Sequence, residues 1–476
     1  MKNYSKISRL LIILAFVTAA NAQEKEPKTG WNLGPLPAIG ANSDLGFQYG
    51  ALCSFFYYGD GTVFPDYLHK FHVEASQYTK GSGMYHFLYD SKYLIPKSRL
   101  TFAATYLPNK MMSFYGFNGF ASPYVNPDDD VSRSAAFYNI DRKLLRILAD
   151  YQRINIAPNL NFAVGLAFWN YKIDKVQLKK YRDDVTLYDL YVENGIISPE
   201  EAAGGSQLEL KLGLVYDTRD HEAAPSKGIW TEVIAYGSPD MFEKNENAYM
   251  KLSAHFRHYI PLMDDKLVFA YHLAYQGTVA GNAPYYVQQS VTTLLLRQVN
   301  SEGLGSVNTI RGLLYTRVVG DGIFWSNFEL RWKLVNFRFL KQNWYFGVNP
   351  FFDAGKVVQS YKLDLMKNSK SKYVVSFLLD QKKDETRVRY YFSDQTEANK
   401  FAAEKNTELG YTGTDKEIKP KILNLYDGDS EKIHFSAGLG GKFVMNRNFV
   451  VSVEFGKPFD SRDGKSGFSV GLNYIF

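Results

Sequence analysis

The feature that most constrains the fold of this chain is a strict alternation of apolar and polar side chains over segments of about ten residues. In residues 207–216, one face carries only Leu208, Leu210, Leu212, Leu214 and Tyr216. The opposite face carries polar residues, among them Glu209 and Lys211. The same alternation recurs at 328–334 and 449–456. Such segments are typical of membrane-spanning β-strands, which have lipid on one face and a wet lumen on the other.

About sixteen strand-like segments follow one another along the chain, an even number, as a closed bacterial barrel requires. The sequence therefore predicts an all-β fold, a transmembrane antiparallel β-barrel over residues 31–476. With both termini in the periplasm, the long connections all fall outside the cell; they are 108–135, 175–205, 280–322 and 356–432. A soluble β-sandwich also has alternating strands, but it would need a second sheet to cover the leucine-rich and aromatic faces.

The longest connection, residues 356–432, is predicted to be a structured extracellular loop insertion. Strand-like runs at 373–379 and 387–392 precede a predicted helix, which begins near Asp394 and ends at Gly410. Its many charged residues are typical of a solvated surface.

The N-terminus predicts export. Basic residues precede a short apolar run, and Ala20-Asn21-Ala22 follows it, which is the pattern of a secretory signal peptide. We expect a signal peptide at 1–22, a short periplasmic segment at 23–30 and then the barrel. No run of about 18 apolar residues occurs that could form a transmembrane helix. The predicted location is the outer membrane of a Gram-negative bacterium.

The composition fits a barrel and offers no support for other classes. Aromatic residues make up 16% of the chain, as expected for aromatic girdles at both membrane interfaces. The net charge of +6 gives no reason to expect nucleic acid as a partner. Hydrolase, metalloprotease, nucleotide and redox motifs do not occur in the sequence. We therefore predict no enzymatic activity, no cofactor and no metal site.

Five motifs occur in order along the chain. They are Leu36-Pro37-Ala38-Ile39-Gly40 with Asp44-Leu45-Gly46-Phe47, then Phe114-Tyr115-Gly116-Phe117-Asn118-Gly119, Tyr216-Asp217-Thr218-Arg219-Asp220 with Pro225 and Gly228, Ile310-Arg311-Gly312, and Phe351-Phe352-Asp353-Ala354-Gly355. Together they resemble motifs of the Omp85 superfamily, specifically the bacterial surface antigen (D15) type barrels of BamA and TamA relatives. The resemblance implies a barrel whose sixth extracellular loop folds back into the lumen.

The resemblance also implies a latch between that loop and the barrel wall. Alternation along 345–355 directs Asp353 into the lumen, and Glu329 faces the same lumen from the preceding strand. In the family, the loop arginine pairs with the inward aspartate. Carried over, this predicts a bidentate Arg311–Asp353 ion pair with Glu329 as a second partner. Gly312 would allow a sharp turn beside the arginine, and such a buried pair would act as a conformational latch more than as a source of stability.

Two further sets of residues follow from the resemblance. One is the family's hairpin motif, made of Asp217, Arg219, Asp220 and Gly228. The other lies on the last strand, whose alternating aromatic residues resemble the signal read by the barrel-assembly machinery; its members are Phe468, Tyr474 and Phe476. We therefore expect the chain to be a client of that machinery.

The resemblance implies a role in outer-membrane biogenesis or in translocation of protein or lipid. Characterised insertases and transporters of the superfamily carry periplasmic POTRA domains that bind clients. Residues 23–30 are too few for a domain, which needs roughly 50 residues, so we expect no POTRA domain and a separate periplasmic partner. The other expected partners are outer-membrane lipid and lipopolysaccharide. The alternative function is a passive pore or a structural surface antigen.

Overall fold

The computed structural model describes residues 28–42, 46–63, 67–181, 183–221, 224–239, 248–264, 266–294, 299–339, 342–378, 387–445 and 449–472. The predicted signal peptide at 1–22 lies outside these residues. The same holds for Asp44, Leu45, Tyr474 and Phe476, so what was predicted of them stays a prediction.

Strands make up most of the described chain. In chain order they are β1 (Trp31–Pro37), β2 (Gly40–Asn42), β3 (Gly46–Tyr57), β4 (His69–Tyr78), β5 (Gly83–Ser91), β6 (Ser98–Ser113), β7 (Asn139–Ala157), β8 (Leu160–Asp174), β9 (Ser206–Asp217), β10 (Gly228–Ser238), β11 (Tyr249–Met263), β12 (Leu267–Gly281), β13 (Ser290–Leu294), β14 (Val299–Glu302), β15 (Gly322–Phe339), β16 (Gln342–Gln359), β17 (Lys372–Leu378), β18 (Arg387–Phe392), β19 (Lys421–Leu423), β20 (His434–Met445), β21 (Phe449–Pro458) and β22 (Gly467–Leu472).

One antiparallel sheet contains 17 of these segments and closes on itself. Because β1 and β2 both pair with β3, they are two parts of one interrupted strand, and the described residues form sixteen barrel strands. The predicted all-β barrel is confirmed. The remaining strands lie in loops: β13 pairs with β14, and β17 lies between β18 and β19.

The helices are short and lie in the connections. They are α1 (Leu187–Glu193), α2 (Pro199–Ala202), α3 (Tyr285–Gln288), α4 (Leu363–Lys367) and α5 (Gln395–Leu409), with 3-10 turns at Gly119–Ala121 and Ser461–Asp463. The predicted helix after Asp394 is confirmed as α5: the Asp394 side chain accepts from the backbone N–H groups of Thr396 and Glu397, and Gly410 ends the helix in the left-handed conformation. None of the described helices is long and apolar enough to cross a membrane.

The alternation of β9 explains how these strands bury one face. Leu210 and Leu212 point outward and are 57% and 54% exposed, while Gln207 and Glu209 are buried. An apolar outward face of this kind is expected in contact with lipid, because its exposure to water would cost free energy. Polar residues in turn occupy the barrel interior.

The connections divide into two groups at opposite ends of the barrel. The loops that follow β6, β8, β12 and β16 lie at one end, which we call the loop end, and short turns such as 92–97 and 158–159 lie at the other, the turn end. This segregation agrees with the predicted topology. That the loop end, including 356–432, faces the outside of the cell stays a prediction.

The barrel closes between its first and last strands. Asn42 of β2 lies opposite Ser469 of β22, and this is the one residue pair between the two strands in the described part of the chain. By comparison, β21 pairs with β22 over Val451–Gly456. We call this closure the seam.

Candidate functional site

The described residues of the connection between β12 and β15, 282–294 and 299–321, lie inside the barrel, and we call them the lumen loop. At one part of the wall, the Gln276 side-chain amide of β12 donates to the carbonyl of Ser290 at 2.8 Å. At another, five strands away, Arg142 of β7 donates to the carboxylate of Glu302 at 2.7 Å. The lumen loop therefore spans the interior from one wall to another.

Arg311 holds the lumen loop to the wall. Its guanidinium donates to both oxygens of Asp353, from Nε at 2.8 Å and from Nη2 at 2.7 Å, and its backbone N–H donates a third bond at 3.0 Å. Nη1 donates to Glu329, and the guanidinium carbon lies 3.6 Å from the ring centroid of Phe351. The Arg311 side chain is 2% exposed and both carboxylates are fully buried. The structure thus brings the predicted latch residues together, and their role as a latch stays a prediction.

The buried charges around Arg311 balance. Three cations and three carboxylates form the cluster, namely Arg311, Arg331, Lys442, Asp353, Glu329 and Glu454. Arg331 donates to Glu329 at 2.8 Å, and Lys442 donates to Glu454. Desolvation of six charges offsets most of their mutual attraction, but removing one member leaves another charge buried without compensation. The cluster therefore fixes one position of the lumen loop without being a large net source of stability.

Gly312 has a backbone conformation and a contact that exclude a side chain. Its φ is +88°, in the left-handed region, and a Cβ there would lie 2.4 Å from the carbonyl carbon of Gly456. The lumen loop can therefore lie directly against the backbone of β21. This is the sharp turn predicted beside the arginine.

The predicted hairpin motif lies at the turn end, between β9 and β10. Arg219 donates to Asp217 from Nε at 2.9 Å and from Nη2 at 2.6 Å. Burial alone would raise the pKa of Asp220, but hydrogen bonds from Ser226 and from the backbone of Lys227 hold that pKa below its ordinary value. Gly228 has a φ of +105°, and a Cβ there would lie 2.4 Å from the carbonyl oxygen of Thr218.

An arginine–aromatic stack connects this hairpin to the interior. The indole of Trp230 lies between two guanidinium groups, those of Arg219 at 3.8 Å and Arg257 at 4.1 Å from its centroid. Arg257 in turn donates to the buried Glu232 at 2.7 Å. Cation–π contacts gain strength when they are shielded from water. The sequence contained no signal for this stack, because Arg257 and Trp230 meet only through the pairing of β10 with β11.

Arg317 is a second buried arginine of the lumen loop, and it was not predicted. Nε donates to the carbonyl of Arg462 at 2.9 Å, and the Nη1 and Nη2 groups donate to the carbonyls of Gly119 at 3.1 Å and Ser122 at 3.3 Å. Arg317 therefore joins the lumen loop to two loops of the loop end, 114–138 and 459–466. The hydrogen-bond partners are backbone carbonyls, which leave no pattern in a sequence; the buried Asp463 carboxylate also lies 3.6 Å from Nε.

The same region contains a buried histidine between two carboxylates. His434 Nδ1 lies 2.8 Å from Asp463, and its Nε2 lies 3.2 Å from Glu431. Its ring stacks on Phe120 at a centroid distance of 4.0 Å. Nearby, hydrogen bonds with Asp460 raise the pKa of Arg462 and lower that of the aspartate. Loops 114–138, 360–433 and 459–466 are thus fastened to one another, and we call this assembly the cap.

The aromatic-glycine motif at 114–119 forms part of the cap. The side-chain amide of Asn118 donates to the carbonyl of Tyr361 at 2.8 Å, and its Oδ1 accepts from the backbone N–H of Tyr361 at 2.7 Å. Phe117 packs against Tyr191 of α1, where burial raises the pKa of the tyrosine to about 12. The motif therefore positions three loops above the lumen.

The lumen face of β3–β5 is partly open. The His72 and Glu74 side chains are 18% and 13% exposed, and His72 Nε2 lies 4.0 Å from the Glu74 carboxylate. Both also have neutral partners: Ser54 lies 2.9 Å from His72 Nδ1, and Gln48 donates to Glu74 at 3.2 Å. We call this face the open wall. Among the described residues no group of three or more His, Cys, Asp or Glu could hold a metal ion.

Of the predicted C-terminal residues, the structure describes Phe468. It points outward, away from the site, and is exposed, as expected for a terminal aromatic strand facing lipid. Tyr474 and Phe476 lie outside the described residues, so the assembly signal stays a prediction.

Comparisons with known proteins agree with this architecture. A family model described as the Omp85 superfamily domain matches residues 75–476, so the motif at 36–47 lies outside the match. The structure is similar to that of BamA from Haemophilus ducreyi lacking POTRA domains 1–3, with a TM-score of 0.51 at 15% identity over 94% of this chain and 71% of that one. It is also similar to CdiB from Escherichia coli, with a TM-score of 0.52 at 10% identity over 94% of this chain and 64% of that one. At these identities the likeness extends to the fold alone. No curated protein matches the sequence.

Proposed function

The chain belongs to the Omp85 superfamily of outer-membrane barrels, and we propose that it acts in outer-membrane biogenesis or in translocation of protein or lipid. One observation carries the proposal: the lumen loop occupies the barrel and is clamped to the wall at Arg311. In a passive pore, a buried cluster of six charges that holds the lumen loop in the conduit would have no use, because such a cluster adds little net stability. A translocator gains a closed state that an incoming client can open.

The seam supports the same proposal. In the described part of the chain, Asn42 and Ser469 form the one pair between β2 and β22. Backbone hydrogen bonds hold a barrel closed, and the seam is the place where the first and last strands meet, so it can open without a break in the chain. A client could pass there between the lumen and the lipid.

We include a separate periplasmic partner in the proposal, which would recognise the client at the turn end. The hairpin of Asp217, Arg219, Asp220 and Gly228 is a suitable contact, because the stack of Arg219, Trp230 and Arg257 extends from it into the interior. Cross-linking from a photoreactive residue at Ser226, in intact cells, would capture such a partner. Residue 226 lies in the hairpin and outside the paired strands. A photoreactive residue at Asn159, in a tight turn of the same end, is the matched control.

Controlled depletion tests the proposal as a whole. Outer-membrane proteomics and lipid analysis after depletion should reveal loss of particular proteins or a changed lipid composition. An unchanged membrane would contradict the biogenesis proposal.

The passive pore is the second candidate, favoured by the open wall, and planar-bilayer recording separates the two. We expect low conductance from the wild type and higher conductance from Arg311→Ala. A wild type that conducts steadily, with no change in the variant, would favour the pore.

A further inference from the structure

The outward face of the barrel contains an unusual pair of lysines near the loop end. Lys143 of β7 lies directly opposite Lys172 of β8 in the strand register. Both side chains are exposed. Within the described barrel strands this is the one position where two lysine or arginine residues face each other across neighbouring strands. Like charges in such a position destabilise a sheet unless something compensates them.

The protein's own described residues compensate this repulsion only in part. Asp141 and Asp174 face each other at the next position on the same face of the two strands, and the charges of Lys143 and Lys110 attract that of Asp141. Asp141 is buried, and the Asp174 carboxylate accepts from the backbone of Lys175 at 2.7 Å and from Gln177 at 2.8 Å. In the described part of the chain, neither lysine forms an ion pair.

The surroundings of the pair are those of a lipid headgroup site. On β6, Pro108 lies opposite Lys143, and the exposed Lys110 follows two residues later toward the loop end. In the other direction, toward the middle of the barrel, the same outward face turns apolar at Tyr106, Ile147 and Leu166. The lysines therefore lie at the boundary between the apolar belt and the loop end, where lipid phosphates reside.

We propose that Lys143 and Lys172 bind a phosphate of a glycolipid in the leaflet at the loop end, with Lys110 as a third contact. An oxyanion between two opposed ammonium groups accepts hydrogen bonds from both and removes their repulsion. The acyl chains of the same lipid would cover Ile147 and Leu166. The proposal rests on the orientation given under the proposed function, with the loop end in the outer leaflet, whose phosphorylated lipid is lipopolysaccharide.

The barrel offers a matched control on its other side. Lys457 of β21 is also outward and exposed near the loop end, but it lies opposite Ala437. It therefore lacks the opposed cation. Lys457→Ala removes one surface charge without changing the proposed site.

Lipid binding by the folded, full-length mature barrel tests the proposal. Wild type, the double variant Lys143→Ala/Lys172→Ala, the charge-keeping Lys143→Arg/Lys172→Arg and Lys457→Ala are placed in phosphatidylcholine nanodiscs doped with phosphorylated lipid A. Co-purified lipid A is then quantified. We expect about a fivefold loss for each removed lysine of the pair, with retention in the arginine variant and in Lys457→Ala. Equal retention in the double variant, or equal loss in the Lys457 variant, would overturn the site.

Two further arms identify the ligand and exclude a folding defect. In the first arm, nanodiscs are doped with phosphatidylglycerol, and we expect less of this lipid to co-purify than of lipid A. In the second, inorganic phosphate is added as a competitor, and we expect it to displace little lipid A. Equal retention of phosphatidylglycerol, or full displacement by phosphate, would overturn the glycolipid assignment. In zwitterionic detergent without lipid A, the double variant should melt cooperatively near the wild-type temperature, since both substituted side chains are exposed. Protease access to 356–432 on intact cells tests the orientation separately. Client handling enters none of these measurements, so they can fail or succeed independently of the depletion experiment.

Discussion

Two walls of the same lumen differ in how far their charged side chains are buried. On the wall that the lumen loop covers, Arg311, Asp353 and Glu329 are almost completely buried and paired with one another. On the open wall, His72 and Glu74 lie 4.0 Å from each other, are partly exposed and also contact neutral hydroxyl and amide groups. The first arrangement fixes one position of a loop, whereas the second leaves its charged groups in reach of water.

The difference indicates where movement would occur. Buried ion pairs are lost together, because each removed charge leaves an unpaired one behind. Hydrated polar residues can exchange one partner for water at little cost. The open wall also lies next to the seam, since β3 pairs with β1 and β2. Under the proposed function, a client that enters through the seam would therefore meet the open wall before the lumen loop.

Arg311→Ala should have the largest effect, because it leaves Asp353 and Glu329 buried without their shared cation. We expect a loss of about 3–5 kcal/mol in unfolding free energy, measured by denaturant unfolding in detergent micelles. Bilayer conductance should rise as the lumen loop leaves its position.

Arg311→Lys tests whether the latch requires the two-point hydrogen bonding of an arginine or only a positive charge. A lysine keeps the cation but cannot donate from two parallel N–H groups to Asp353. We expect it to recover stability only in part. Full recovery of both stability and low conductance would mean that the bidentate geometry has no role.

Arg317→Ala should have the second largest effect, and it should act on the cap. The carbonyls of Gly119, Ser122 and Arg462 lose a charged donor, and the buried Asp463 loses a cation 3.6 Å away. We expect a loss of about 2–3 kcal/mol. Limited proteolysis should then cut 114–138 and 459–466 faster than in the wild type. Conductance should change less than in Arg311→Ala, because Asp353 keeps its partner. Faster cutting at the 92–97 turn instead would contradict a local effect.

The sequence predicted those parts that depend on local pattern. Strand alternation identified which face of β9 is lipid-facing, and Asp394 and Gly410 defined the ends of α5. The residues of the latch could be named because an inward Asp353 and a loop arginine both belong to recognisable motifs.

The parts that were missed depend on contacts between residues far apart in the sequence, which no local pattern predicts. Arg317 donates to backbone carbonyls, which any residue supplies. Trp230 meets Arg257 through strand register, and His434 meets Asp463 through the path of two loops. The half-exposed state of the open wall could not be predicted either, because it depends on which wall the lumen loop covers.

Glu74→Gln on the open wall should have the smallest effect on stability, within about 0.5 kcal/mol, as for most partly exposed positions. The amide can still accept a hydrogen bond from Ser76, now 2.9 Å from the carboxylate. Its informative readout is conductance in an Arg311→Ala background, where the lumen is open. Removing one carboxylate from the conduit should lower its preference for cations, measured as a shift in reversal potential across a salt gradient. An unchanged reversal potential would place the ion path away from β3–β5, and the distinction between an open and a covered wall would then lose its functional meaning.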